Sequence, residues 1–524
     1  MSRVARHRAD TVVIGGGSSG AVVAGRLAEA GCDVLLVEAG PDYGPLDGGR
    51  WPAELVDARM LATTHDWDYR AGRWTFERAR VIGGCSAHNG AIAAVGHRRD
   101  YDAWGLDGWR GADVEPLYRT VCERMRVRAY ERHEAGPFHA ACLEAAAQAG
   151  WPIASDLCDL DAGESFGLET VNVFGTLRWN TAFAYLDPVR GGGHLRVLDE
   201  TIVAHLEPAG VPSGTVRSSA VRSSAVRSSA VRSSTAASGG VRVFGTRQGE
   251  PVEIEAATVV LSAGVYGTPA ILQRSGVGDP DRLRAVGVTP QHELPGVGAD
   301  LHDHPMIHAG RLVTPRLQGW LDEAAATGFL PEEQTLGKFC SGQATDGLYD
   351  LHLFPVCASN QTSLLHGRTL VEVACVNPRS RGRLDIVSAD PEAQPTIDHA
   401  YLTDPEGHDL AVLRDGLALA ERLLAQPALR DILGAPFDVF DSDEAIRANV
   451  AHYYHPVGTC RMGPDGDAGA VCDADGRVRG LDGVVVADVS LLPTITRANT
   501  NLPAVMIGER IAATLAGRLP DTGR

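Results

Sequence analysis

The chain has 524 residues, of which 44% are hydrophobic and 22% charged, and it carries a formal net charge of −18. That length supplies more than one domain and a large core, and the acidity argues against nucleic acid or anionic membrane surfaces as partners. No apolar run approaches the ~20 residues that span a bilayer. The leading MSRVARHRAD is basic without an apolar stretch, so no signal peptide is expected. Ten cysteines without a C-x-x-C pair predict reduced thiols in a cytoplasmic enzyme and no zinc site.

Thr11–Gly40, TVVIGGGSSGAVVAGRLAEAGCDVLLVEAG, carries the first motif. Thr11–Ile14 is short and β-branched, as a buried parallel strand should be. Gly15, Gly17 and Gly20 follow in G-x-G-x-x-G spacing, with Ser18 and Ser19 between the last two. The first glycine allows a tight turn and the second a close approach to a pyrophosphate, while the third lets a helix pack on the strand. Ala21–Ala30 is the expected helix, its positive N-terminal end toward the phosphates. Asp33–Val37 is the next strand. Glu38, followed by Ala39, stands 18 residues beyond Gly20, where a carboxylate grips a ribose 2′-hydroxyl. NADP is thereby disfavoured, and NAD and FAD stay open on this stretch alone.

Residues 51–77 are polar and irregular, with tryptophans at 51, 67 and 74. Arg78–Gly96, RARVIGGCSAHNGAIAAVG, combines Gly83-Gly84 with small residues that let backbone lie against something flat, with His88 and Asn89 at its centre. By itself His88 reads as a polar loop residue. From Tyr101 to Gly150 the pattern is helical, most clearly at Phe138–Ala149, and Ala154–Thr181 is loop-like. His194–Leu206 reads as a strand. After it comes a five-residue repeat, VRSSA, from Val216 to Ser234, whose composition cannot bury apolar surface and predicts a flexible insert at 212–240. Strands are expected at Val241–Thr246 and Val252–Leu261, with Ser262-Ala263-Gly264 as a strand end, and the turn Gly267-Thr268-Pro269 then starts a helix with Thr268 as N-cap and Pro269 at N1. Further strands are expected at Leu351–Val356 and Val371–Val376 and a helix at Asp409–Leu424. Ala451–Gly463, AHYYHPVGTCRMG, holds His452 and His455, three apart, with no third metal ligand at familiar spacing. Val484–Asp488 reads as a buried strand ending in an acid, ahead of TRANTNLPAVMIGERIA.

These blocks resemble, in order, the signatures of the glucose–methanol–choline (GMC) oxidoreductases, FAD enzymes that oxidise alcohols. Arg78–Gly96 resembles the first signature, and Cys85 with a histidine before Asn89 looks most like the choline oxidase branch. In that branch the matching histidine is bonded to the flavin 8α carbon, which makes His88 a candidate for a covalent FAD link. Gly83, Gly84, Ser86, Asn89 and Gly90 would then bind the cofactor beside it. Val259–Gly278 resembles the second signature and implies cofactor contacts at Ala263 and Gly264. Pro295–Pro305 resembles the "VG–NL–DHP" block, with Asp300 in place of the usual asparagine. The block at 451–463 resembles "H-x-x-G-T-C", whose histidine faces flavin N5. This implies His455 as the base that takes the hydroxyl proton, a task suited to a group with a pKa near 6.5. Asp488 would close on the ribityl or pyrophosphate. Asn499 would be the catalytic partner of His455, with Asn501 as the competing register, and either could instead cap the last helix.

The resemblance implies an α/β fold, with a Rossmann-like FAD-binding domain from residues 1–150, 195–305 and 450–524. A substrate domain, built on an antiparallel sheet and helices, would come from 151–194 and 306–449. The implied reaction takes a small-molecule alcohol and passes hydride to the flavin, with oxygen or another electron acceptor completing the cycle. Oxidase and dehydrogenase are indistinguishable at this level, and a homo-oligomer is compatible with the sequence. Choline is disfavoured, because no acid occurs between Pro305 and Asp322 and aromatics for a cation cage are sparse. The alternative is a GMC-fold lyase of the hydroxynitrile-lyase kind that keeps FAD without net redox chemistry.

Overall fold

The computed structural model describes residues 4–60, 62–208, 240–358 and 365–517. The first strand runs Ala5–Ile14, and its apolar end, Val12 to Ile14, is fully buried. It pairs in parallel with Val34–Val37 on one side and Glu250–Leu261 on the other. The order across this seven-stranded sheet is Leu195–Leu198, Val34–Val37, Ala5–Ile14, Glu250–Leu261, Val241–Arg247 and Thr201–Pro208, with Val484–Val486 pairing in parallel with the end of Glu250–Leu261. The register sets Val37, Ile14, Leu261 and Val486 in one row. Gly15, Glu38, Ser262 and Ala487 therefore leave the sheet at the same carboxyl edge, which is where open α/β sheets bind ligands.

The helix Gly20–Glu29 starts directly under the Gly15 turn. A Cβ on Gly20 would lie 1.9 Å from the Gly15 carbonyl oxygen, so the helix reaches the sheet only because that side chain is missing. It packs against the last helix, Asn501–Leu515, and the Ser19 hydroxyl donates to the Ala504 carbonyl at 2.7 Å across that seam.

A second sheet is antiparallel throughout its path, in the order Leu433–Phe437, Pro305–Val313, Arg368–Cys375, Leu351–Cys357, Thr335–Phe339 and Ser165–Leu168. Strand alternation sorts its side chains. Ile307, Leu351, Leu353, Val371 and Val373 join the core formed with helices Pro137–Gln148 and His408–Leu424. Met306, His352, Phe354, Glu372 and Ala374 consequently occupy the opposite face, toward the first sheet.

Several expected boundaries move. Helix Pro137–Gln148, placed in the 1–150 segment of the FAD domain, buries Phe138, Cys142 and Leu143 in the core of the second sheet. Residues 182–186, placed in the 151–194 substrate segment, bury Phe183, Tyr185 and Leu186 in the first core against Gly20–Glu29. Ser165–Leu168, inside the stretch expected to be a loop, is an edge strand too short to show a period. The helix expected to start at Thr268 begins at Gly264, so Thr268 is not its N-cap and Pro269 lies within it. Proline leaves the carbonyl four residues back without its donor, and the Thr459 hydroxyl supplies one to Val265 at 2.6 Å. The VRSSA repeat lies outside the described residues. Among the described residues no helix is long and apolar enough to cross a membrane.

The Gly20 contact leads to a direct test. Gly20→Ala must push the helix away from the loop, an overpacking that costs about 1–3 kcal/mol. The expected result is a lower thermal unfolding midpoint.

Candidate active site

At the carboxyl edge of the first sheet, Glu38 organises the glycine loop. Its two carboxylate oxygens accept the Gly16 amide at 2.7 Å and the Gly40 amide at 2.8 Å, and each keeps a lone pair for a further donor. Beyond it opens a cleft of about 520 Å³ bordered by Ala39, Arg80, Glu200, Ile202 and Gln248, room for the adenosine end of a dinucleotide. Gly17 and the partly exposed Ser18 form the tip of the loop. Gly84 touches it from the other side, where a Cβ would sit 2.5 Å from the Gly17 Cα.

The second loop is held from within. The Ser86 hydroxyl donates to the Gly83 carbonyl at 2.6 Å and contacts the Thr181 hydroxyl at 3.0 Å. The Asn89 side-chain oxygen accepts the Ala91 amide at 2.9 Å and holds Ala91 at φ +61°, leaving Gly90 exposed on the loop surface. Asp488, expected to reach the flavin, accepts three protein donors and keeps a lone pair on the oxygen that takes the Ser490 amide. One oxygen accepts the Gly264 amide at 2.9 Å and the Thr268 hydroxyl at 2.6 Å, and the other accepts the Ser490 amide at 2.8 Å. Its effect is to pin the Ala263-Gly264 turn to the neighbouring strand end. The hydroxyls of Ser19 and Ser86 are committed to the protein, so both serines shape the cradle rather than offer a free hydroxyl to it.

Between these loops and the second sheet, several buried polar atoms have no partner among the described residues: His88 Nε2, Asn499 Oδ1 and both side-chain atoms of Asn501. Orphaned buried polar groups are costly. Their collection beside two abutting glycine loops fits a large polar cofactor lying across the edge of the sheet. FAD fits this donor and acceptor set, with Glu38 and the glycine loop at its adenosine side and the 83–90 loop at its ring side.

His455 lies opposite the second loop, 8% exposed. Its backbone amide donates to Asp303 Oδ1 at 2.9 Å, and the other oxygen of Asp303 accepts from the Tyr401 hydroxyl at 2.9 Å. Burial raises the Asp303 carboxyl to about 6, with Arg78 nearby opposing the shift. The His455 ring has neighbours at both nitrogens: His304 Nδ1 lies 3.1 Å from its Nδ1, and Asn499 Nδ2 lies 3.3 Å from its Nε2. Asn499, rather than Asn501, therefore contacts the histidine. The Asn499 loop is anchored two residues upstream, where buried Arg497 pairs with Asp100 and Asp346. His302 adds a second anchor by accepting the Ile495 amide at 3.0 Å. Burial, then the neighbouring His304, His352, Arg78 and His452, holds the His455 pKa well below the ordinary histidine range. His452 itself packs edge-on or tilted among Trp74, Phe76 and Tyr454, and Asp300 pairs with Arg461 at 2.7 Å.

Sequence reasoning missed His304, Asp303 and Tyr453. The first two lie in the recognised LHDHP block, and His304 immediately precedes strand Pro305–Val313, in line with the site-facing Met306. Their meeting with His455 depends on the pairing of Pro305 with His452, which no local pattern announces.

GMC oxidoreductase family models match residues 9–306 and 378–508. The oxygen-dependent choline dehydrogenase of Rhizobium johnstonii is 31% identical over 568 residues, covering 98% of this chain and 96% of that protein. That of Paraburkholderia xenovorans is 32% identical, covering 98% and 95%. Among solved structures, pyridoxine 4-oxidase from Mesorbium loti superposes with a TM-score of 0.78 at 24% identity, covering 97% of this chain and 99% of that one. Formate oxidase gives a TM-score of 0.79 at 20% identity, covering 98% and 99%. These relatives are dehydrogenases and oxidases, and nothing among them supports a lyase. With the family models matched over most of the chain and the FAD cradle facing a buried histidine, the protein belongs to the GMC oxidoreductases, FAD-dependent enzymes that oxidise alcohols.

Proposed function

We propose that His455 is the base that takes the hydroxyl proton of the substrate alcohol, and that Asn499 orients the alcohol oxygen toward it. The observation that carries this reading is the His304–His455–Asn499 line. If His455 donates its Nδ1–H to His304 Nδ1, its Nε2 is an unprotonated acceptor on the side of Asn499. There the Asn499 amide donates to it until a substrate hydroxyl takes that place. The depressed pKa keeps the ring neutral at neutral pH, the form a base requires. FAD, when bound, supplies the acceptor for the hydride that leaves the carbinol carbon. The chain's part is to hold the hydroxyl between His455 and Asn499, to remove its proton at Nε2 and to keep bulk water from a site whose walls are buried. Oxygen or another electron acceptor completes the cycle. The ten free cysteines support a reducing, cytoplasmic setting.

We further propose that His88 anchors the flavin covalently. Its ring hydrogen-bonds the Thr64 backbone, while Nε2 is buried without a partner. Burial lowers its pKa, leaving a neutral nitrogen facing the cofactor side of the loop.

His455→Ala should slow flavin reduction by an alcohol ~10²–10⁴-fold, read by stopped-flow absorbance; an unchanged rate removes the assignment. Because lowering the pH protonates and disables a base, and the His455 pKa lies well below 6.5, kcat/KM should show no break from this group between about pH 6 and 8. It should fall only on further acidification, and a break near 6.5 would count against the buried-base reading. Acid precipitation should leave yellow colour in the wild-type pellet, while His88→Ala should release all flavin to the supernatant.

A further inference from the structure

Three glutamates that the reaction above does not use meet near Tyr453. Glu372 stands on Arg368–Cys375 directly opposite Phe354, on the site-facing side of the second sheet. Glu333 comes from the segment bridged to Val356, and its Oε2 lies so close to Gly90 that a Cβ there would be 3.1 Å away. Glu169 follows the edge strand and is tied to the same segment by its amide, which donates to the Gln334 carbonyl at 2.9 Å. Neither oxygen of Glu169 has a partner, although the residue is only 1% exposed. None of the three carboxyls has an ion pair or hydrogen bond to a side chain among the described residues. Glu333 and Glu372 keep some accessible surface, so their carboxyls border a chamber that also reaches Gly90.

Tyr453 points independently to a ligand in this chamber. It is 5% exposed, its hydroxyl has no partner, and all three glutamates act on it electrostatically. Its ring lies 4.5 Å from that of His455, centroid to centroid, so whatever satisfies the Tyr453 hydroxyl and the carboxyls sits one ring away from the proton acceptor. Burial, then Glu372 and Glu332, raises Glu333 to about 8; burial alone raises Glu372 to about 7, and burial, then Glu333, holds Glu169 well above the usual carboxylate range. Each carboxyl is thus a group that a cation would stabilise strongly.

We propose that this chamber recognises the protonated amine of an amino alcohol, with its ammonium group among Glu169, Glu333 and Glu372 and its hydroxyl at His455. A primary ammonium offers three N–H donors to carboxyls that lack them. A quaternary ammonium offers none and is recognised instead by aromatic faces. Choline is disfavoured in sequence because no acid occurs between Pro305 and Asp322 and aromatics are sparse; the acids of this chamber instead arrive from three other elements. The proposal rests on His455 marking the reaction face.

The test uses the FAD-loaded enzyme near pH 7.5, where 3-amino-1-propanol is an ammonium and 1-butanol is its uncharged counterpart of the same length. The expected kcat/KM preference for the amino alcohol is ~10-fold or more. Glu372→Gln and Glu333→Gln should each reduce that ratio, chiefly through KM. Independently of turnover, n-propylammonium chloride should perturb the flavin spectrum at lower concentration than tetramethylammonium chloride, and this difference should shrink in both variants. Equal use of the two alcohols, tighter binding of tetramethylammonium, or a ratio untouched in both variants overturns the proposal. Glutamate-dependent binding of n-propylammonium without flavin reduction by any alcohol would leave the amine site standing and refute the oxidation mechanism.

Discussion

The row formed by Val37, Ile14, Leu261 and Val486 is the constraint on which the rest of the molecule depends. Parallel pairing in that register ends four strands, drawn from the start, middle and end of the chain, at one edge. The loops that follow must then share a narrow space, and small residues make this possible. Gly20 lets the first helix begin against the Gly15 turn, and Gly84 touches Gly17. The Asp488 carboxylate ties the loop after one strand to the end of another. A single misregistered residue in these strands would turn buried side chains outward and separate the loops, so the cradle exists only if the whole sheet forms.

The second sheet contributes by facing that edge. Its back is fastened by helices at 137–148 and 408–424, leaving the alternate residues of each strand free to line the interior. Asp303 joins the two halves of the site. It sits at the entry to strand Pro305–Val313, accepts the amides of His304 and His455, and thereby brings two histidines from segments 151 positions apart within 3.1 Å of each other. Once buried together, neither ring readily holds a proton, and that neutrality comes from desolvation rather than from any unusual residue.

The interior carries a cost. Unpartnered atoms of His88, Asn499, Asn501, Tyr453 and Glu169 would each destabilise the fold by roughly 1–3 kcal/mol if left unsatisfied. A cofactor and a polar substrate reverse that cost, which couples stability to occupancy: whatever binds the folded form tightly also raises its unfolding free energy. The site is therefore built at the expense of the empty protein's stability, as catalytic interiors commonly are.

The sequence by itself determined the parts whose chemistry is local. The glycine spacing with Glu38 identified a dinucleotide cradle, because a turn, a helix start and a strand end are set by neighbouring residues. The ordered signatures around Gly83, Gly264 and His455 identified FAD and alcohol oxidation. Tertiary structure decided what distant segments do together. It assigned helix 137–148 to the second core, showed the carboxylate of Asp488 pinning the Ala263-Gly264 turn, and selected Asn499 over Asn501 as the neighbour of His455. It also gathered Glu169, Glu333 and Glu372, none of which stands in a motif, around Tyr453. Such groups are invisible in sequence because their proximity, and the desolvation that alters their acidity, comes from strand register and burial, which are properties of the packed whole.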